Sequence, residues 1–498
     1  MIRTHRQFPR LLVVTSALAF VIGTSTMGAA QASSTGEDGP LRSTVTPIRR
    51  ATGIDRIVEG WSWGDAREVF YGIRSPDRVI AWGHGGEGQL GNGRTPRISL
   101  DGVVVRRLHD VRHIVSNGFT SLAIVGHGRV KAWGSNGNGQ VGTGDRRDRS
   151  LPHRVGHLVG VKEVALGGEP ALALTRRGRV WAWGENMCGA LGTGDVRDRL
   201  RPARIPGLRH ITRIFTSGYN TSFALQRNGT LWAWGYGYDG NRGDGSREAC
   251  SSRPGRVRLP APVTQLFVSA PPPDTFGALL SDGTYWTWGS RSANLGYPAK
   301  HTMFRPRRVR GLPAVQKVWP GQGATYVRDR KGRVWAWGAG PLGDGHRRGS
   351  ASPVRVSAID GAERISQSGT DARFALLPDG TVKGWGLNWY NALGTGSLDP
   401  VLRPTALPGL DAPRDLGVRL DAGYAWAPGY FKAWGSSYDA YADPQDVPWG
   451  PRTVDGLTGI RWAAPWADTN YRSGMTYTVL LADGTVQRLN VPFQQPVG

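Results

Sequence analysis

The chain has 498 residues, 39% of them hydrophobic, with 62 basic against 38 acidic side chains and a formal net charge of +24. That length suits three ordinary domains or one large repeat array. Of the basic residues 55 are arginine, spread through every segment with no block of five or more. A charged stripe for nucleic acid needs clustering on one face, so nucleic acid is set aside as a partner, while steering toward acidic surfaces, including anionic cell-wall polymers, fits the charge.

Residues 1–32 read as a secretory signal: Arg3, Arg6 and Arg10 form a basic start, Leu11 to Ile22 an apolar run, and Ala30-Gln31-Ala32 a small-residue cleavage site before Ser33. The run is too short to span a bilayer comfortably, and no later segment is long and apolar enough to cross one. Cleavage removes three arginines and no acid, which leaves +21 and an extracellular protein. Residues 33–43 read as a flexible lead, and 44–498 as a single repeat domain. VTPIRRATGIDRIVEG (Val45 to Gly60) resembles the later connectors but lacks a preceding hairpin. The chain also stops soon after its last hairpin, so Pro47 to Arg50 is expected to add an outer strand to the final repeat and close a ring.

A Trp-Gly phrase then recurs at Trp82, Trp133, Trp183, Trp234, Trp288, Trp337, Trp385 and Trp434, at spacings of 51, 50, 51, 54, 49, 48 and 49 residues. A ninth, degenerate copy ends at Leu489 in DGTVQRLN. Each copy has one grammar. A β-prone run such as SFALQ (Ser222 to Gln226) meets LWAWG (Leu231 to Gly235) across Asn228-Gly229, a pair suited to a type I′ turn with two positive φ angles. Trp232 and Trp234 are two apart and share a sheet face. A glycine-rich loop follows, closing with Leu-Gly-x-Gly, and then a connector with two further strand-like runs. Four short strands per period of about fifty predict an all-β propeller, with nine repeat units counted and the tryptophans filling the space between blades. On this reading Trp-Gly is fixed by packing, and the loop after it varies because it faces solvent.

ALTRRGRVWAWGENMCGALGTGD (Ala173 to Asp195) is close to a full statement of the phrase AL-x-x-x-G-x-V-x-A-W-G…N-x-x-G-x-L-G-x-G, and it resembles the repeat of the regulator of chromosome condensation family. The likeness runs from about Val45 to the C-terminus. It implies a rigid disc with a protein-binding surface of loops, on a scaffold that also serves extracellular binders. The chain departs from the family in two ways. The family usually has seven blades, and it often has a histidine before the Ala-Leu strand, where this chain has Ser121, Ala171 and Thr221.

No catalytic constellation is found: the ten histidines recur at no matched repeat position, and neither a nucleophile elbow nor a phosphate-binding loop appears in the mature chain. No cofactor or metal is called for. Asp145 and Asp195 lack the alternating oxygen ligands of a calcium loop and read as turn residues. Arg242-Gly243-Asp244 reads as a glycine turn in place of Leu-Gly-x-Gly. Cys188 and Cys250, in consecutive loops, are as consistent with a disulfide as with two separate thiols.

The variable loops gather on one face of a propeller, and their aromatics with a neighbouring asparagine form the candidate binding set: Tyr236, Tyr238, Asn388, Trp389, Tyr390, Tyr438 and Tyr441. The first reading is a secreted non-catalytic binder of an extracellular protein, including an enzyme held in an inhibitory complex. The alternative is a cell-wall or anionic-glycan binder. A third, guanine-nucleotide exchange, rests on the family name alone and would need a form kept in the cytoplasm.

Overall fold

Antiparallel hairpins with Trp-Gly at a fixed place are the unit from which the molecule is built. The structure, a computed structural model, describes residues 44–60, 68–74, 78–168, 170–217, 220–268, 275–321, 323–367, 372–388, 391–395, 397, 399–407, 409–419, 422–435, 451–466 and 474–492. Among these residues the strands form nine four-stranded antiparallel sheets. Blades 1 to 8 each run through four consecutive strands, over 56–104, 111–154, 161–204, 211–257, 263–308, 315–355, 364–406 and 415–453. Blade 9 takes three strands from 460–492, and its fourth is Thr44–Pro47, paired with Val486–Pro492. Closure by an N-terminal strand is therefore observed, three residues upstream of the expected Pro47 to Arg50.

First strands of neighbouring blades touch each other at the junctions of blades 1–2, 2–3, 3–4 and 7–8, which sets them against the axis and the fourth strands at the rim. Because the strands alternate in direction, the loops from third to fourth strand all emerge on one face. The hairpin turns from second to third strand emerge on the other.

Hydrophobic burial lies between blades. Nine clusters each join one blade to the next, from Trp133 with Val69 and Tyr71 at the first junction to Trp434 with Phe374 at the seventh. The eighth centres on Tyr477 and Phe431, and the ninth joins Leu480 and Val486 of blade 9 to Phe70, Ile80 and Trp82 of blade 1. Nine blades with nine junctions make a closed ring, two blades larger than the family norm.

Each of the eight tryptophans is buried, from 0% exposed at Trp82 to 3% at Trp434. Each indole takes about 200 Å² out of water, roughly 5 kcal/mol of transfer free energy before entropy is charged. Six of them also donate from Nε1 to a loop carbonyl of the preceding blade: Trp133 to Gln89 (2.7 Å), Trp183 to Gln140 (2.7 Å), Trp234 to Ala190 (2.8 Å), Trp288 to Asn241 (2.9 Å), Trp337 to Asn294 (2.8 Å) and Trp434 to Ala392 (2.9 Å). Trp385 reaches its loop by relay, donating to Tyr326 Oη, which donates to the Leu342 carbonyl. The Trp82 indole N–H has no partner among the described residues. Blade 9 precedes it, and there no loop joins the third strand to the fourth, because the fourth comes from the other end of the chain.

The hairpin turns correct one expectation. In blade 4 Gly229 has φ 80°, whereas Asn228 is not among the positive-φ residues. Gly229 N–H donates to Gln226 O (2.8 Å), and Asn228 Oδ1 accepts from Thr230 N–H (3.1 Å). The turn is a three-residue loop ending in a left-handed glycine, and not type I′. Asn228 is selected for its side-chain acceptor. Asp282, Asp379 and Asp483 act in the same way on Thr284, Thr381 and Thr485.

The indole bonds predict unequal costs for one chemical change. Trp183→Phe leaves the buried Gln140 carbonyl without its donor, at about 1–3 kcal/mol beyond lost packing. Trp82→Phe removes a donor that is already unpaired. Denaturant midpoints of the two variants should differ, with Trp82→Phe the more stable by at least about 1 kcal/mol; equal losses would contradict this account of the seam.

Candidate binding face

In blades 2, 3, 4 and 7 the loop after Trp-Gly is held from within by one side chain. In blade 2 Asn136, fully buried, donates from Nδ2 to the carbonyls of Asp145 (3.0 Å) and Arg147 (2.9 Å) and accepts Val141 N–H at Oδ1 (2.9 Å). Asn186 repeats this in blade 3 with Asp195, Arg197 and Leu191. Asn388 does so in blade 7, donating to Thr395 Oγ1 and Ser397 O and accepting from Leu393 N–H.

Blade 4 keeps the arrangement with different residues. Gly237 stands where the asparagine would be, and Arg242 where the others have Val141 or Leu191. The Arg242 guanidinium, 1% exposed, donates to Glu248 O (2.9 Å), Gly235 O (3.1 Å) and Asp244 Oδ2 (2.9 Å). A Cβ on Gly237 would lie 2.1 Å from its Nη1, so the glycine and the arginine are one exchange. The Arg-Gly-Asp triplet is thus interior structure.

The closing glycines couple each loop to the next blade. Gly192, at φ 67°, lies under Trp234, where an added Cβ would be 2.8 Å from Nε1. The second glycine donates its N–H to the next blade's fourth strand: Gly144 to Leu200 O (2.8 Å), Gly194 to Ser252 O (2.9 Å) and Gly245 to Phe304 O (2.8 Å). Only the middle of each loop is therefore free to vary for solvent.

Asp195 closes its turn by accepting Arg197 N–H (3.2 Å) and pairing with Arg199 (2.7 Å). Arg199 first, then that N–H, hold its carboxyl below the usual range. Among the described residues no group of three His, Cys, Asp or Glu side chains is placed to hold a metal ion.

Of the candidate binding set, Tyr238 is 66% exposed on the blade 4 loop. Tyr236 ends the third strand, Leu231–Tyr236, half-buried. Asn388 is 1% exposed and is the loop's internal staple, so it offers nothing to the face; its place three residues after Trp385, where Asn136 and Asn186 stand after Trp133 and Trp183, was the signal for that role. Trp389, Tyr390, Tyr438 and Tyr441 lie outside the described residues.

Two residues that sequence reasoning passed over join Tyr238. Met187 and Val196, in the blade 3 loop, are 54% and 63% exposed. Nothing in sequence distinguishes an exposed methionine from a core one. Cys188 and Cys250 are bonded, with Cα atoms 4.6 Å apart. The bond ties the blade 3 loop, beside Met187, to the start of the blade 4 fourth strand.

These features define a nine-bladed propeller with a framed loop face and an apolar, disulfide-tied patch over blades 3 and 4. The profile of the regulator of chromosome condensation (RCC1) repeat matches residues 127–174 and 177–225, and a second profile of the same repeat matches 111–140. The chain therefore carries RCC1 repeats within residues 111–225. It is 27% identical over 374 residues to the ultraviolet-B receptor UVR8 of Arabidopsis thaliana, covering 73% of each chain. It is 28% identical over 211 residues to the human E3 ubiquitin-protein ligase HERC2, where the match covers 41% of this chain and spans 4% of the ligase's length. Among solved structures, Prp20p of Saccharomyces cerevisiae aligns at 20% identity and a TM-score of 0.46, over 64% of this chain and 79% of that one.

The loop frame yields a coupling test. Gly237→Asn alone should clash with Arg242, and Arg242→Leu alone should strip donors from the buried Gly235 carbonyl and the half-buried Glu248 carbonyl, each variant costing about 2 kcal/mol or more. The double variant rebuilds the blade 3 pattern of Asn186 and Leu191 and should recover most of both losses, read as a coupling of about 1–3 kcal/mol in a double-mutant cycle; additive losses would refute the exchange. The disulfide closes 62 residues of sequence. Its replacement by Cys188→Ser with Cys250→Ser should cost about 2–4 kcal/mol in chemical unfolding.

Proposed function

We propose that this protein is a secreted, non-catalytic binding protein whose loop face over blades 3 and 4 engages an extracellular protein partner. The observation that carries the reading is the placement of Met187, Val196 and Tyr238. They are three of the six large hydrophobic side chains exposed among the described residues, and all stand on two adjacent loops. Those loops are fixed by Asn186, by Arg242 and by the Cys188–Cys250 bond. Exposed apolar groups on a rigid frame lose little entropy on contact, and tyrosine is among the residues enriched in binding hot spots. Export rests on the basic start, short apolar run and small-residue site of residues 1–32. The relatives bear names as different as a ubiquitin ligase and a light receptor, which supports reading the propeller as a scaffold whose loops set the role.

The test is capture from the producer's culture supernatant and wall extract, at low and high salt, with the wild-type chain and a Met187→Ala, Tyr238→Ala variant. A discrete stoichiometric protein held by the wild type at both salt levels, and bound at least about tenfold more weakly by the variant, is the expected result. A partner retained equally by both would move the binding surface elsewhere.

A further inference from the structure

The rim carries a second feature, independent of the loop patch. The fourth strands of blades 3, 4 and 5 share an Arg-Pro-x-Arg phrase: Arg201 to Arg204, Arg253 to Arg256 and Arg305 to Arg308. Fifty-two residues separate each copy from the next, so the arginines look scattered along the chain. In the ring they fall at one position on three successive blades, forming two rows of three. All six are exposed, and none of the six guanidinium groups has an ion-pair or hydrogen-bond partner among the described residues.

The upper row is positioned by the loops. Arg201 lies against Gly144 of blade 2, where an added Cβ would be 2.6 Å from its Cζ. Arg305 lies against Gly245 of blade 4, with the corresponding distance to Nε 2.4 Å, and Arg253 sits over Gly194 at 3.5 Å. In blades 2, 3 and 4 the last glycine of the loop, Gly144, Gly194 and Gly245, thus provides a floor for the next blade's guanidinium. On either side the upper row stops, with Leu151 in blade 2 and Ser352 in blade 6, whereas the lower position stays arginine there as Arg154 and as Arg355, the latter paired with Asp360. Across 196–209, 246–258 and 301–310 the sequence holds thirteen arginines and two acids.

Rim strands need charge and proline to discourage edge pairing, which accounts for Pro202, Pro254 and Pro306. That need is met by either sign of charge, and by paired charges as well as free ones. It does not account for a one-signed, unpaired row in register. No exposed large hydrophobic side chain lies on these three strands, so the surface lacks the apolar anchors of a protein interface. We infer that the arc over blades 3 to 5 is a docking track for a linear polyanion, an extended polymer whose phosphate or carboxylate groups recur and meet one guanidinium pair per blade. The planar fork of arginine suits both groups.

The experiment titrates the full chain with fluorescent poly(glycerol phosphate) and, separately, polygalacturonate over a range of NaCl. The rim variant is Arg201→Ala, Arg253→Ala, Arg305→Ala. A control removes equal charge from hairpin turns on the opposite face, Arg177→Ala, Arg227→Ala, Arg330→Ala, all exposed. Expected are salt-dependent binding of the wild type, an at least tenfold loss in the rim variant with its log–log salt slope shallower by about two, from roughly 0.7 per contact, and a control within twofold of wild type. Thermal midpoints check folding, and a rim Arg→Lys triple, which keeps the charge, should keep the slope. The polymer that binds identifies the anion as phosphate or carboxylate. Equal loss in rim and control variants, an unaffected rim variant, or no binding of either polymer at low salt would overturn the inference.

Discussion

The structure depends on one contact made seven times around the ring: an indole standing on the left-handed glycine of the preceding blade's loop. Trp183 over Gly142 and Trp234 over Gly192 show its parts. The ring buries the sheet-to-sheet gap, and the indole N–H orders the loop backbone by bonding its carbonyl. A four-stranded sheet with both faces apolar is not stable alone, so each blade depends on its neighbours. The ring has no free end at which this dependence could fail. Its weakest place is the seam, where the strands of blade 9 come from both ends of the repeat array and Trp82 has packing but no indole partner among the described residues.

That contact also explains why the fold was legible in sequence. Tryptophan and glycine at fixed offsets report packing directly, because no smaller side chain spans the gap and no β-carbon fits beneath the ring. The degenerate ninth copy has no tryptophan and was legible from its hairpin register alone: Leu489 pairs opposite Tyr477, as Trp234 pairs opposite Ser222. The turn type was less legible. Asn-Gly marks a hairpin equally well whether asparagine supplies a positive φ or only a side-chain acceptor, and the local sequence does not separate the two.

The loop face was read less well, and the reason is physical. A loop residue is selected either for what it shows to solvent or for what it holds inside, and composition does not distinguish these. Asn388 sits in a loop rich in aromatics and is buried. Arg242 sits in a tripeptide that suggests adhesion and is buried too, because Gly237 opened the space for it. In both cases alignment among the repeats was the better guide. The position three after the tryptophan, asparagine in blades 2, 3 and 7, builds the frame, whereas the next position, Met187 in blade 3 and Tyr238 in blade 4, varies in type and is exposed.

The same argument changes how charge should be read in a repeat protein. A search for basic blocks assumes that neighbours in sequence are neighbours in space, which suits helices and disordered tails. In a propeller the relevant distance is measured after subtracting whole periods, so residues fifty apart stand side by side and residues ten apart face opposite ends. The arginines of 201–308 form no block along the chain, yet they line up on adjoining rim strands. Their repulsion is tolerated because each guanidinium is exposed, where water screens it strongly. An anionic chain laid along them would replace that screening at several sites at once. The rigidity that fixes the blades would then also fix the spacing of the charges, so the ring's packing sets the geometry of the rim as well as that of the loop face.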